Sequence, residues 1–467
     1  MHIEIVTITE LSEEGKGLGV LNNSDGTTRQ VEVPFTLPGD VVEIELRRAR
    51  RRKRGQGVIT SFIEKSPLRV EPRCKHFASC GGCSFQHIAY QDQLTMKEKS
   101  VHDLFLPLKQ ESTVFYPILA SQSAWNYRNK MEYSFSQNAR GEKFLGLILS
   151  GTRGWVFNLE ECHLVDSWFA TTVKEVSAWW EQSAITAYFH GADRGTLRTL
   201  TLRHGITSGD RMVILTVSGN PEFAIKKQEL DSFVSLIQKV ATPELPAHLS
   251  IVLRVQQIAK GQPTQFYEMI LSGPDYIRET VSVGSEQHEF RISPKAFFQP
   301  NTRTANNLYA KAIELADITA QSVVYDLYAG IGVFGMSLAH KAKEVVAIEL
   351  APDSAYDAKT NSQRLNLKNF TIYEGDVGKV LQEKQDELAK PDIVIVDPPR
   401  PGLDAKALLQ IIALNPQTIV YVSCNPKTQV ENIKVLLDAG YSLKAVQPVD
   451  QFPHTPHVEN IAICIRK

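Results

Sequence analysis

Three side chains stand where this sequence could run covalent chemistry on a planar, polar substrate: Cys424, Asp397 and Glu459. Cys424 lies in Tyr421-Val422-Ser423-Cys424-Asn425-Pro426. The run Thr418–Val422 before it is short, apolar and β-branched, the pattern of a buried strand, and a helical pattern begins after Pro426. Cys424 therefore falls at the C-terminal tip of a strand, the edge at which open parallel α/β sheets take their ligands. A lone cysteine is more often a small buried hydrophobe, so its neighbours decide. Asp397-Pro398-Pro399-Arg400 follows the preceding strand. Two prolines stiffen that loop and remove two N–H donors, which suits a carboxylate held in place. Neighbouring strands would turn Asp397 and Cys424 toward one cleft. Glu459 sits in His454-Thr455-Pro456-His457-Val458-Glu459-Asn460, against the last apolar run. That setting predicts a part-buried carboxyl with a raised pKa, as a general base requires.

A cofactor signal comes earlier. The strand Val323–Leu327 runs into Asp326-Leu327-Tyr328-Ala329-Gly330-Ile331-Gly332-Val333-Phe334-Gly335. Gly330, Gly332 and Gly335 fit G-x-G-x-x-G between a strand and a helix, and Glu349 ends the next strand where an acid would hold ribose hydroxyls. NAD would satisfy this pattern equally well. Asp326 and Asp376 end strands too, and either line the same pocket or cap the helices that follow.

Two further clusters stand apart. Cys74-Lys75-His76-Phe77-Ala78-Ser79-Cys80-Gly81-Gly82-Cys83 holds three of the six cysteines, and Cys162, in a distant polar loop, is the candidate fourth ligand. Four thiolates suit a tetrahedral zinc or a [4Fe–4S] cluster. The second cluster is the basic run Arg47, Arg48, Arg50, Arg51, Arg52, Lys53 and Arg54. Cations so crowded repel one another, and phosphates of a nucleic acid would relieve that repulsion.

The elements that must position these groups follow from the period of the apolar residues. Strand candidates Ile3–Ile8, Gly19–Leu21, Thr28–Val33, Asp40–Leu46 and Gly55–Phe62, separated by glycine turns, predict an OB-like barrel with the basic run between the last two strands. A mixed α/β region follows. From about Val283 apolar strands alternate with helical patterns, the βαβ rhythm of a doubly wound sheet, and the last strand should pair antiparallel. The expected domains are 1–63, 64–282 and 283–467. A composition of 43% hydrophobic and 22% charged residues can bury full cores, and a formal net charge of −1 favours no partner by itself. No apolar run is long enough to span a bilayer and no signal-peptide pattern follows Met1, so a cytoplasmic protein without a membrane partner is expected. Nothing in the sequence implies an obligate protein partner.

Taken together, these residues resemble the RNA uracil-5-methyltransferase family over most of the chain. The Asp397–Arg400 loop, the Val422–Pro426 loop and His457-Val458-Glu459-Asn460 stand in family order and spacing. Phe297-Phe298-Gln299-Pro300-Asn301 looks like the family's cofactor segment, the first domain is similar to a TRAM domain, and Tyr127-Arg128-Asn129-Lys130 recurs among members. The cysteines resemble the [4Fe–4S] site of members that modify large-subunit ribosomal RNA, a site the transfer-RNA branch lacks. Tyr328-Ala329, Val333 and Pro300 depart from the commoner residues at their positions.

The resemblance implies a Rossmann-like methyltransferase domain, an N-terminal TRAM barrel and a central domain carrying the cluster on Cys74, Cys80, Cys83 and Cys162. It implies S-adenosylmethionine held by Gln299, Tyr328, Glu349 and Asp376, with Asp397 beside both cofactor and uracil. Cys424 would add to C6 of the ring, and Glu459 would take the C5 proton. The implied substrate is 23S rRNA, with Arg128 and Lys130 as candidate RNA contacts. The alternatives are a transfer RNA substrate or a catalytically silent RNA-binding iron–sulfur protein.

Overall fold

The computed structural model describes residues 3–22, 27–47, 55–258 and 261–467. The chain divides into two compact units. One comprises residues 1–97, 148–155 and 452–457; the other comprises 98–147, 156–451 and 458–467.

In the first unit, β1 (Ile3–Leu11), β2 (Gly17–Asn22), β3 (Thr28–Val33), β4 (Val41–Arg47) and β5 (Gly55–Glu64) close into a barrel in the order β1-β2-β3-β5-β4. Alternate residues point inward, so Val6, Ile8, Leu21, Val31, Val33, Val42 and Ile44 fill the interior. Gly19 is required by that packing: a Cβ there would lie 2.4 Å from Cγ2 of Val6. β4 and β5 pair antiparallel up to Arg47 opposite Gln56. The expected basic tip, residues 48–54, lies outside the described residues. Below the barrel, Leu37 packs on Phe85 and Ile88, and Gly81 N–H donates to Ile148 O across 3.1 Å.

The second unit holds two main sheets. Strand β6 (Val114–Phe115) belongs to the larger one. The smaller is built from β7 (Lys130–Gln137), β8 (Lys143–Gly146), β9 (Leu197–His204), β10 (Arg211–Ser218), β11 (Leu249–Gln257) and β12 (Gln265–Ser272), in the order β12-β11-β10-β9-β7-β8. After helix α1 (Tyr90–Phe105), helices α2 (Ser167–Glu181) and α3 (Lys227–Ala241) contribute Phe169, Trp180, Phe233 and Ile237 to its core. The tryptophans divide: Trp168 and Trp180 are buried as core residues, whereas Trp155 is 70% exposed. A hairpin, β13 (Ile277–Val283) with β14 (Glu286–Ile292), leads to α4 (Thr302–Leu315).

The larger sheet contains β15 (Val323–Leu327), β16 (Glu344–Glu349), β17 (Phe370–Glu374), β18 (Ile393–Val396), β19 (Thr418–Ser423), β20 (Tyr441–Val449) and β21 (Glu459–Arg466). The order is β17-β16-β15-β18-β19-β21-β20-β6. Helices α5 (Val333–Leu338), α6 (Pro352–Arg364), α7 (Val377–Glu383), α8 (Ala405–Leu414) and α9 (Pro426–Asp438) connect the strands. The order reverses beside β15, the switch point where doubly wound sheets open a crevice. β21 runs antiparallel to both β19 and β20. Buried Val394, Val396, Val420 and Val422 make the centre dry on both faces, so polar chemistry is left to the strand tips. Among the described residues no helix is long and apolar enough to cross a membrane.

Candidate active site

Cys424 follows β19 directly and precedes α9, as its sequence context predicts. Ser423 pairs with Asn460 on β21, so the next residues along, Cys424 and Glu459, leave the ladder side by side. The side chain of Gln429 on α9 locks this end: its Nε2 donates to Tyr421 O at 2.7 Å and to Asn460 O at 3.2 Å, and Asn460 Nδ2 donates back to Gln429 Oε1 at 2.8 Å. On the other flank, β18 and β19 are parallel neighbours with Val396 opposite Tyr421. Asn425 Nδ2 and Thr428 Oγ1 both donate to Arg400 O, at 3.1 and 3.3 Å, which ties the Asp397–Arg400 loop to the cysteine loop.

The charges meet as this wiring requires. Burial, with the charges of Glu459 and Asp397, pushes the Cys424 thiol up to about 11, while Arg400 pulls it down. Burial also raises the Glu459 carboxyl well above the usual range, with Asp397 adding to the rise and Arg400 opposing it. Glu459 is more deeply placed than its sequence position suggests, 3% exposed, with Oε2 making no hydrogen bond. The Asp397 carboxyl is raised to about 7 by burial and by Asp326, against a hydrogen bond from the Gln299 side chain. Arg400 is exposed at the mouth of this group. Its influence on Cys424 and Glu459 was not anticipated, although it closes the quoted Asp-Pro-Pro-Arg motif. Tyr309 on α4 was also missed; it is buried, and Asp397, Asp326 and Glu459 all raise its pKa.

The glycine loop has the geometry of a nucleotide-type cradle. A Cβ at Gly330, whose φ is +57°, would meet open space, whereas one at Gly335 would come within 2.8 Å of the Phe370 ring. One glycine leaves room for a ligand, and the other lets α5 close on the sheet. Glu349 is half-buried, and its two carboxylate oxygens accept from Gly330 N–H and Ala351 N–H, each at 2.7 Å. Asp326 accepts from Gly335 N–H at 2.8 Å, and burial raises its pKa to about 7. Asp376 caps α7 by accepting from Lys379 N–H at 3.0 Å. Both aspartates thus serve helix starts. Tyr328 stands half-buried at the tip of β15 with φ +64°. Gln299 is buried just before α4, where Asn129 Nδ2 donates to its carbonyl at 2.8 Å.

The cysteines are arranged differently. Cys74, Cys80 and Cys83 are half-buried in the first unit, and Cys162 is half-buried in the second, beside the core of the smaller sheet. Among the described residues no three His, Cys, Asp or Glu side chains are gathered as a metal site. Cys80 receives the Gly82 N–H at 3.3 Å, and its thiol is raised by burial and by the charge of Cys74. Arg128 and Lys130, the candidate RNA contacts, are half-buried, and burial brings Lys130 down to about 8.

Comparison with known proteins fits this arrangement. Residues 237–467 match the model of the tRNA (uracil-5-)-methyltransferases, and residues 5–68 match the TRAM domain of a tRNA (uracil(54)-C(5))-methyltransferase. An uncharacterized RNA methyltransferase of Protochlamydia amoebophila is 49% identical over 440 residues, covering 93% of this chain and 99% of that protein. One from Chlamydia trachomatis serovar D is 36% identical over 394 residues, covering 84% and 98%. Among solved structures, the Pyrococcus abyssi tRNA (uracil-54, C5)-methyltransferase in complex with S-adenosyl-L-homocysteine covers 99% of each chain at 25% identity, with a TM-score of 0.73.

Proposed function

Because the chain belongs to the RNA uracil-5-methyltransferase family, and is an S-adenosylmethionine-dependent RNA methyltransferase, we propose that it methylates C5 of a uridine in 23S rRNA through a covalent bond to Cys424. The observation that carries this reading is the meeting of Cys424, Glu459, Asp397 and Arg400 at the tips of β18, β19 and β21.

Bound S-adenosylmethionine supplies an electrophilic methyl group on a cationic sulfur. Gln299, Tyr328, Glu349 and Asp376 are the residues we assign to hold it, with the open side of Gly330 toward it. The half-buried Cys424 thiol gives its proton to solvent; the resulting thiolate adds to C6 of the uracil, and the electron pair displaced from the C5–C6 double bond makes C5 nucleophilic. Once C5 carries the methyl group, Glu459 takes the C5 proton, the double bond re-forms and Cys424 leaves as thiolate. Arg400 favours the charged forms of both Cys424 and Glu459, which is what attack and proton abstraction need. Asp397, held by Gln299, is our assignment for the group that fixes the ring. The target base must leave its stack at a cost of a few kcal/mol, which barrel contacts would offset.

Four thiolates from Cys74, Cys80, Cys83 and Cys162 are our assignment for a [4Fe–4S] cluster. Support comes from their spacing, the Gly82 N–H donated to Cys80 and the charge of Cys74 felt there. No reaction step passes through it. Brown anaerobic protein with iron and sulfide in equal amounts is expected; colourless zinc protein would overturn the assignment.

Likeness to the Pyrococcus abyssi enzyme over the whole chain favours a second reading, a transfer RNA substrate. Labelled S-adenosylmethionine offered with 23S rRNA and transfer RNA transcripts in parallel decides between them. Incorporation into 23S rRNA, lost in Cys424→Ala, is the expected result; incorporation into transfer RNA alone would replace the substrate and keep the chemistry.

A further inference from the structure

The barrel unit contains a cavity of about 480 Å³ that the methyl-transfer site does not use. Its walls come from two parts of that unit: Phe35 and Phe62 from the barrel, and Phe77 and His87 from the segment around the cysteine loop. The Phe35 and Phe77 rings meet edge to face at 5.3 Å, and Phe77 lies 5.2 Å from the His87 ring. His87 is 1% exposed, yet neither of its ring nitrogens has a hydrogen-bond partner. Buried polar groups in folded proteins are nearly always satisfied, so such a group calls for a missing partner. Burial brings the His87 pKa down to about 3, so near neutral pH the ring offers one N–H donor and one bare nitrogen.

The frame of this cavity is held rigid. Phe35 has φ +62° and Ala78 has φ +68°, both unusual for side chains with a Cβ. Arg69 Nη2 donates to Phe35 O at 2.7 Å and pairs with the buried Asp40 at 2.6 Å. Asp40 in turn accepts from Leu37 N–H and Ser66 N–H. Arg69 is therefore engaged in holding Phe35 and is not the ligand's counter-charge. Arg47 takes that place: it lines the cavity, is exposed, and begins a sequence run that continues with six more cations through Arg54. Aromatic faces beside a cationic track are the means by which proteins hold unstacked bases and their phosphates.

We propose that this cavity is a second recognition site for the RNA substrate, which takes one unstacked base against Phe35, Phe62 and Phe77 with a polar edge at His87. The proposal rests on the reading that the chain acts on RNA. It adds a base-binding contact outside the methyl-transfer site.

Ultraviolet cross-linking of the full-length protein to 23S rRNA and transfer RNA transcripts, followed by mass spectrometry, tests it directly. A nucleotide adduct on Phe35 or Phe77 is the expected result. His87→Leu and Phe35→Ala should each raise the RNA Kd about tenfold and leave the affinity for S-adenosylhomocysteine unaltered. Methylation of either transcript with adducts only elsewhere would overturn the site while sparing the proposed function. Adducts at Phe35 or Phe77 without methylation would do the reverse. Folded variants with unaltered RNA Kd would also overturn it.

Discussion

The side-chain amide of Gln451 donates to Oε1 of Gln299 across 3.3 Å, leaving the Gln299 N–H2 group to serve Asp397. An amide can turn end for end, and this bond selects the useful end. The same corner is tied again where Asn301 Nδ2 donates to Ser121 Oγ at 3.0 Å and to Gln451 O at 3.3 Å. Gln451→Leu should free the Gln299 amide and weaken its hold on Asp397. We expect S-adenosylhomocysteine affinity to fall about tenfold, roughly one buried hydrogen bond. Calorimetry on the folded variant measures this, and an unaltered Kd would show that Gln299 is oriented by something else.

The Cys424 thiol at about 11 is protonated near neutral pH. Only the thiolate reacts with alkylating agents, so its labelling rate in the ligand-free protein should rise about tenfold per pH unit from neutral into the alkaline range. Arg400→Gln removes the cation that lowers this pKa and should slow labelling further. Mass spectrometry at timed intervals reads both effects. A rate independent of pH would mean that the thiol is already ionised.

Asp326 ties pH to stability with a definite sign. Its folded pKa of about 7 lies above the ordinary 3.8, so the native state holds this proton more tightly than the unfolded chain does. Its contribution is complete below about 3.8 and is lost as pH rises through about 7. Asp326→Asn keeps an oxygen for Gly335 N–H and removes the titration. The stability difference between variant and wild type should therefore move in the variant's favour across that range, measured by denaturant unfolding. A constant difference would contradict the raised pKa.

Much of this architecture was readable from local pattern. β-branched runs marked the central strands because a doubly covered sheet is apolar along its length, and Thr28–Val33 and Val323–Leu327 fall where the sequence put them. The glycine loop and the Cys424 turn were legible because backbone geometry there restricts residue type. Strand β6 was not, since two residues carry no period, and it owes its place to Val446 across the ladder. Glu459 was expected half in water; its position beside buried Asn460 on an interior strand was set by pairing that no local window contains. Gln451 and Tyr309 escaped notice for the same reason: the partner of Gln451 lies more than a hundred residues away, and those of Tyr309 lie on β15, on β21 and just past β18.

The Glu459 carboxyl offers the sharpest division of labour. It is buried, its Oε2 has no hydrogen-bond partner, and it lies beside Cys424 at the end of the β19–β21 ladder. If Cys424 makes the bond and Glu459 takes the proton, then Glu459→Gln should permit the first act and block the second. Glutamine nearly matches glutamate in shape and cannot accept a proton from carbon at neutral pH. Release of Cys424 requires loss of that proton, so protein and methylated RNA should stay joined. We expect a linked species on denaturing gels that depends on S-adenosylmethionine, with turnover reduced by at least about a hundredfold. Glu459→Gln,Cys424→Ala should abolish the linkage. Normal turnover by Glu459→Gln would move the base elsewhere, with Asp397 the next carboxylate to test.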